Sequence, residues 1–185
     1  SAPEPTTRRD ARGVWEKSGV EISPDVRACL NSPEAETPKR GAACFEESEI
    51  HGIATSHDAL EAAAAVTRAH GVTPLILGDA IEGEAREVAR VQAEIVRQIS
   101  AYNQPVASPC MLLSGGETSV TVRGSGRGGR NTEFLLALAI ALDGEPSGHA
   151  IACDTDGIYG SESKAGDMIS PGPLDRTSVV WGQSL

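Results

Sequence analysis

Beyond residue 50 the chain alternates short apolar runs with longer stretches of helical periodicity, and this alternation limits its fold more than any other feature. IHGIATS (50–56) is a short apolar run, and the alanine-rich HDALEAAAAVTRAHG (57–71) follows it, ending in glycine at a plausible helix terminus. Ser56 or Asp58 is the expected cap. VTPLILGD (72–79) reads as a buried strand. EGEAREVARVQAEIVRQISAY (82–102) reads as a helix, with Val88, Val91, Ile95, Val96 and Ile99 at helical spacing. CMLLSGGE (110–117) is a further strand, SVTVRG (119–124) alternates as a strand does, NTEFLLALAIALDG (131–144) is an apolar helix, and HAIACDTDG (149–157) is a strand with an acidic end. Strands that alternate with crossover-length helices imply an α/β fold, a three-layer α/β/α arrangement whose sheet is largely parallel. A glycine pair ahead of SVTVRG adds the expectation of at least one hairpin. Ligands of such sheets sit at the carboxyl ends of strands, here ATSHD, LSGGET and ACDTDG.

Residues 1–48 differ. Pro3, Pro5, Pro24, Pro33 and Pro38 punctuate them, two short helices fit at 10–18 and 24–31, and NSPEAETPKRG (31–41) reads as a linker. The chain is acidic, with a formal net charge of −10, which argues against nucleic-acid binding. A small anion remains compatible, because it needs only a local basic pocket. Aromatic residues make up only 3%, so the core must come from Ala, Val, Leu and Ile. Cys29, Cys44, Cys110 and Cys153 form no CxxC pair, which predicts free thiols and a cytoplasmic setting. SAPEPTTRRD has no apolar core of a secretion signal, and no apolar run approaches the ~18 residues of a membrane span.

Residues 114–134, SGGETSVTVRGSGRGGRNTEF, hold six of the twenty glycines, together with three arginines and two glutamates. Ser114, Gly115 and Gly116 follow a strand, where glycine lets backbone N–H groups approach an anion; a tight turn into SVTVRG explains the same glycines. Glu117 and Thr118 add a carboxylate and a hydroxyl. GSGRGGRN (124–131) is not a GxxxxGK[ST] phosphate loop, and its match to GxGxxG is one of letters only. It feeds a helix start near Asn131, which attracts anions, and Arg127 and Arg130 add forked donors. Asp154 and Asp156 at a strand end suit Mg²⁺, or equally a hydrogen-bonded turn. His51, His57, His70 and His149 lie near no nucleophile motif and read as structural.

Three stretches in order, ATSHDALEAAAAVTRAHGVTPLILGDAIEGEAREVARV, LSGGETSVTVRGSGRGGRNTEF and ACDTDGIYGSE, resemble the type 2 glycerate kinases (glycerate 2-kinases), whose C-terminal region is the MOFRL domain. Members have often carried a hydroxypyruvate reductase label. The resemblance covers most of residues 1–175. It implies ATP-dependent phosphorylation of D-glycerate to 2-phosphoglycerate with Mg²⁺, in a cleft between two α/β domains. Ser114, Gly115, Gly116, Glu117 and Thr118 would line that cleft. Arg130 would stabilise charge during transfer, with Arg127, Gly128, Gly129, Asn131, Glu133 and Thr155 near substrate or nucleotide and Asp154 and Asp156 toward the metal. The expected organisation is a linker with short helices over 1–48, a MOFRL-type domain over 49–175 and a tail outside the family over 176–185.

The chain also departs from the family. The N-terminal domain, with a lysine expected to act in catalysis, has no counterpart here, so the chain is expected to be incomplete as a kinase. Tyr159 stands where Asp is usual, and Ser163-Lys164 where Asp-Asn is usual. Two other functions stay open: an NAD(P)H-dependent hydroxypyruvate reductase, and a non-catalytic binding or assembly module. An exposed cleft wall further predicts association into a homo-oligomer.

Overall fold

The computed structural model describes residues 3–49, 51–124, 128–143, 148–155, 166–170 and 179–180. The chain divides into two units, Ser1–Ile53 and Ala54–Leu185.

In the first unit, α1 (Arg8–Ser18) opens with a capping box, in which Thr7 accepts from the Asp10 amide and Asp10 from the Thr7 amide. Ser23 caps α2 (Pro24–Asn31), with proline in its first turn. These are the two short helices expected from the sequence. Single 3₁₀ turns follow at Pro33–Ala35 and Ala43–Phe45. Polar and aromatic contacts hold the unit: Trp15 Nε1 donates to the Val20 carbonyl (2.7 Å), Arg27 stacks 5.3 Å from the Trp15 ring centre, and Lys39 Nζ donates to the Thr6 carbonyl (2.6 Å). None of its described residues is fully buried.

The second unit holds the α/β fold. Its elements are α3 (Ser56–Ala69), β1 (Thr73–Glu84), α4 (Ala85–Tyr102), β2 (Cys110–Ser119), α5 (Arg130–Leu142), β3 (Ala150–Cys153), β4 (Gly166–Ile169) and β5 (Val179–Val180). Thr55, rather than Ser56 or Asp58, caps α3; Asp58 completes a capping box, and the Thr55 hydrogen bonds hold its carboxyl below the usual aspartate range. Strands β1 and β2 pair in parallel from Thr73↔Cys110 to Glu84↔Ser119, with irregularities around Gly78, and α4 is their crossover. Strands β3, β4 and β5 form a separate antiparallel sheet. The parallel pairing and the hairpin are both present, but in two sheets, and the hairpin is not where the glycine pair suggested.

Three elements differ from the sequence reading. Gly115 and Gly116 lie inside β2 and make no turn, and only Ser119 of SVTVRG is in a strand. The alternation of 119–124 is real, but past Ser119 no neighbouring strand among the described residues supplies a ladder. Residues 51–55 likewise form no strand, and Ile53 there is 98% exposed. Conversely β1 runs five residues past 79, through AIEGE to Glu84, because β2 pairs with it all the way.

The core lies between α4 and α5. Ala89 and Ala93 are fully buried against Leu138, with Phe134, Ala137, Ala141, Leu142, Ala150 and Ile169 packed around them. The buried stripe of α4 is Ala85, Ala89 and Ala93 at intervals of four, joined by Ile99, whereas Val91 faces solvent. Small side chains at that spacing allow the close approach of the two helices. Among the described residues no helix is long and apolar enough to cross a membrane.

Gly116 is the tightest point of the β1–β2 pair. Its φ is +145°, and a Cβ there would lie 2.1 Å from the Ile81 carbonyl oxygen and 2.3 Å from the Ile81 nitrogen. Gly116→Ala is expected to destabilise the chain by roughly 3 kcal/mol or more, the upper end for an overpacked site. Chemical denaturation checks this; a loss below about 1 kcal/mol would show that the two strands separate freely.

Candidate functional site

The parallel register brings β1 and β2 to the same end, where Glu82 lies opposite Glu117, Gly83 opposite Thr118 and Glu84 opposite Ser119. Glu84 is the last residue of β1 and stands at the start of α4. Its carboxylate accepts from the Thr121 amide (3.0 Å), the Thr121 hydroxyl (3.0 Å) and Arg86 Nη2 (2.8 Å). Those bonds, the backbone one first, hold the Glu84 carboxyl below the usual glutamate range. Arg86 in turn is pushed above the ordinary arginine value, chiefly by its bond to Glu84. Thr121 is thereby fixed just past β2, on the way to the glycine-rich loop.

Helix α5 begins at Arg130 after Gly129, an N-cap residue that makes no side-chain capping bond. Gly128 precedes it with φ +145°, a conformation that favours glycine. Arg130 reaches two strand ends at once. Its Nη1 lies 2.6 Å from Glu117 Oε1 on β2, and its Nη2 donates to Asp154 Oδ1 (2.8 Å) just after β3. Arg130 and Asp154 are 32% and 15% exposed and Glu117 is 73% exposed, so one partner is sheltered and the other open to solvent. Charge-assisted bonds of this kind are short and directional.

One turn into the helix, Glu133 Oε1 lies 3.8 Å from Arg86 Nε. Thr132 donates its hydroxyl to Asp167 Oδ2 (2.9 Å) on β4, and Asp167 is buried. Among the described residues, two buried atoms, Asp167 Oδ1 and Asn131 Nδ2, have no hydrogen-bond partner. A groove of about 390 Å³ opens next to the cluster, lined by Glu84, Arg86, Glu87, Arg90, Thr121 and Arg123.

The structure therefore gathers Glu117, Arg130 and Asp154, with Asn131 and Glu133 on the same helix turn. Thr155 follows Asp154 and is exposed. Thr118 lies beside Glu117, opposite Gly83. Ser114 sits farther back along β2, where its hydroxyl accepts from Gln92 Nε2 (3.3 Å), and Gly115 packs beside Asp79 and Leu60. Arg127 and Asp156 lie outside the described residues. Glu84, Arg86, Thr121 and Asp167 were missed by the sequence reading. The acid–base spacing of EGEAR at a strand–helix junction is the one signal that could have found the first two.

Strand ends, a glycine-bearing loop and an arginine held by carboxylates at a helix start come together in an α/β protein. Comparison with known proteins agrees with that fold class. Residues 110–180 match the MOFRL family model. The chain is 47% identical over 175 residues to an Agrobacterium vitis protein bearing a provisional hydroxypyruvate reductase name, covering 94% of this chain and 39% of that one. It is 34% identical over 181 residues to the D-glycerate 2-kinase of Thermotoga maritima, covering 98% of this chain and 42% of the relative. A crystal structure of glycerate kinase from Thermotoga maritima superposes with a TM-score of 0.66, over 91% of this chain and 39% of that one. The chain is therefore similar to the C-terminal part of glycerate 2-kinases and carries the MOFRL match within it. It spans about two fifths of the length of these relatives.

The hydrogen bonds on Glu84 give a pH signature. A folded value below the unfolded one means that Glu84 adds stability above its unfolded pKa, and that this is lost as pH falls through the folded value. In an NMR pH titration Glu84 is expected to titrate below an ordinary glutamate. Thr121→Val should move its midpoint upward, and an unchanged midpoint would contradict the bonding described.

Proposed function

We propose that this chain supplies one wall of a glycerate 2-kinase active site, in which Arg130 neutralises charge on a phosphoryl group passing from ATP to D-glycerate. The single observation that carries this reading is the double anchoring of Arg130, by Glu117 and Asp154, at the uncapped start of α5. Phosphoryl transfer places spread negative charge on three oxygens, so catalysis is mainly positioning and charge neutralisation. An arginine fixed at both ends of its fork is already oriented for that work, and the first turn of a helix favours the same charge. In the reaction the glycerate 2-hydroxyl oxygen bonds to the γ-phosphorus, the bond to the ADP oxygen breaks, and the hydroxyl proton leaves.

Among the described residues no group of three His, Cys, Asp or Glu side chains is placed to hold a metal. Mg²⁺ in a nucleotide site asks less than this, since one or two carboxylates suffice when phosphates and water complete the shell. Asp154 fits that role, with Asp156 as the second carboxylate the sequence offers. Bound there, Mg²⁺ would neutralise phosphate charge. Ser114, Gly115, Gly116, Glu117, Thr118, Arg127, Gly128, Gly129, Asn131, Glu133 and Thr155 are proposed as the surroundings of substrate and nucleotide. The domain limits 49–175 and the possession of a second, N-terminal wall belong to the same proposal, as does assembly into a homo-oligomer.

The reductase reading draws on the name of the Agrobacterium vitis relative. The geometry speaks against it. A dinucleotide loop joins a strand directly to a helix, whereas Gly124 comes five residues after β2 ends at Ser119.

Calorimetric titration of the chain with Mg-ATP, Mg-ADP, D-glycerate and NADH tests the proposal. Binding of nucleotide or glycerate is expected, weakened at least about tenfold, or ~1.4 kcal/mol, in Arg130→Ala. Binding of NADH alone, or nucleotide binding indifferent to Arg130, would overturn it.

A further inference from the structure

We propose that Arg86 is a positioning residue that holds Glu133 away from Arg130. Arg130 and Glu133 stand three residues apart on α5, the spacing at which opposite charges on a helix meet. An arginine and a glutamate so placed form an ion pair on an isolated helix. Here they do not. Among the described residues Glu133 pairs with Arg86, while Arg130 pairs with Glu117 and Asp154.

The reason lies across the helix interface. Arg86, on the first turn of α4, points its Nε toward Glu133 at 3.8 Å and its Nη2 to Glu84 at 2.8 Å. Glu84 is itself locked by both donors of Thr121. The side chains of Glu84, Arg86 and Glu133 are 23%, 28% and 33% exposed, so their charges are only partly screened. Thr121, Glu84, Arg86 and Glu133 thus form one relay from the end of β2 to the first turn of α5. Without Arg86, Glu133 loses its opposing charge, and Arg130 is the nearest cation along its own helix. Arg130 would then carry one more carboxylate beside Glu117 and Asp154, and its attraction for an incoming anion would fall. The effect on anion affinity rests on the function proposed above; the pairing itself does not.

Two readouts on the whole chain separate these. The first is the ¹H–¹⁵N resonance of the Arg130 Nε–H, followed without ligand in the native chain, Arg86→Met, Glu133→Gln, the double variant and Arg86→Lys. The resonance is expected to shift in Arg86→Met, to return to its native position in the double variant, and to stay near native in Arg86→Lys and Glu133→Gln. The second is the affinity for Mg-ATP. It is expected to weaken about fivefold in Arg86→Met, the upper end for a partly exposed pair, and to recover in the double variant. A purely structural role for Arg86 predicts no recovery when Glu133 is neutralised. An Arg130 resonance that does not move in Arg86→Met, or that stays displaced in the double variant, overturns the proposal. If Arg86→Met does not fold, Arg86→Gln with and without Glu133→Gln decides the same point. A native chain that binds no Mg-ATP would refute the kinase reading while leaving the resonance experiment to judge Arg86.

Discussion

A side chain at residue 116 would collide with the backbone of Ile81, and the rest of the site depends on that contact. The backbones of β1 and β2 meet there without an intervening Cβ, which lets the parallel ladder continue past the Gly78 irregularity to Glu84 and Ser119. The continued ladder carries Glu117 to the place where Arg130 reaches it, and carries Thr121 to Glu84. Helix α4 then starts from the end of β1, which puts Arg86 beside both Glu84 and the first turn of α5. One residue without a side chain therefore fixes where four charged ones stand. Part of the glycine content beside so much charge is explained in this way: Gly116 makes room for a strand, and Gly128 turns the chain into the helix that bears Arg130.

The charge pattern follows one rule. Each arginine of the cluster has carboxylates on two sides: Arg130 has Glu117 and Asp154, and Arg86 has Glu84 and Glu133. Such pairing costs conformational freedom, and an exposed pair returns little stability. Its gain is orientation, because a guanidinium gripped at two nitrogens cannot swing. In a chain with a net charge of −10, two arginines are in this way fixed by the carboxylates around them.

Much of this was legible from the residues. The helix over 57–71, the helix over 82–102, the apolar helix from Asn131 and the strand before CDTDG all stand where periodicity put them, to within a few residues. Arg130 and Asp154, picked for their positions at a helix start and a strand end, do meet. What was not legible depended on partners. AIEGE is polar and contains glycine, so nothing local marks it as a strand; only the ladder to SGGETS makes it one. SVTVRG has the opposite fate, since it has the right alternation and, among the described residues, no paired strand beyond Ser119. The core stripe of α4 was hidden because alanine weighs little in a hydrophobic pattern, yet Ala85, Ala89 and Ala93 are the residues of α4 with no exposure. Asp167 was invisible because its meaning comes from Thr132, 35 residues away in sequence.

The central claim is that Arg130 is held by the strand ends it bridges. A double-mutant cycle on unfolding free energy tests it most directly, using Arg130→Met, Asp154→Asn and the pair together. With one partner sheltered, a coupling of about 1 kcal/mol is predicted, and the double variant should be less destabilised than the sum of the singles. Additivity to within about 0.3 kcal/mol would mean that the two side chains are neighbours without being partners, and the account of the site would fail.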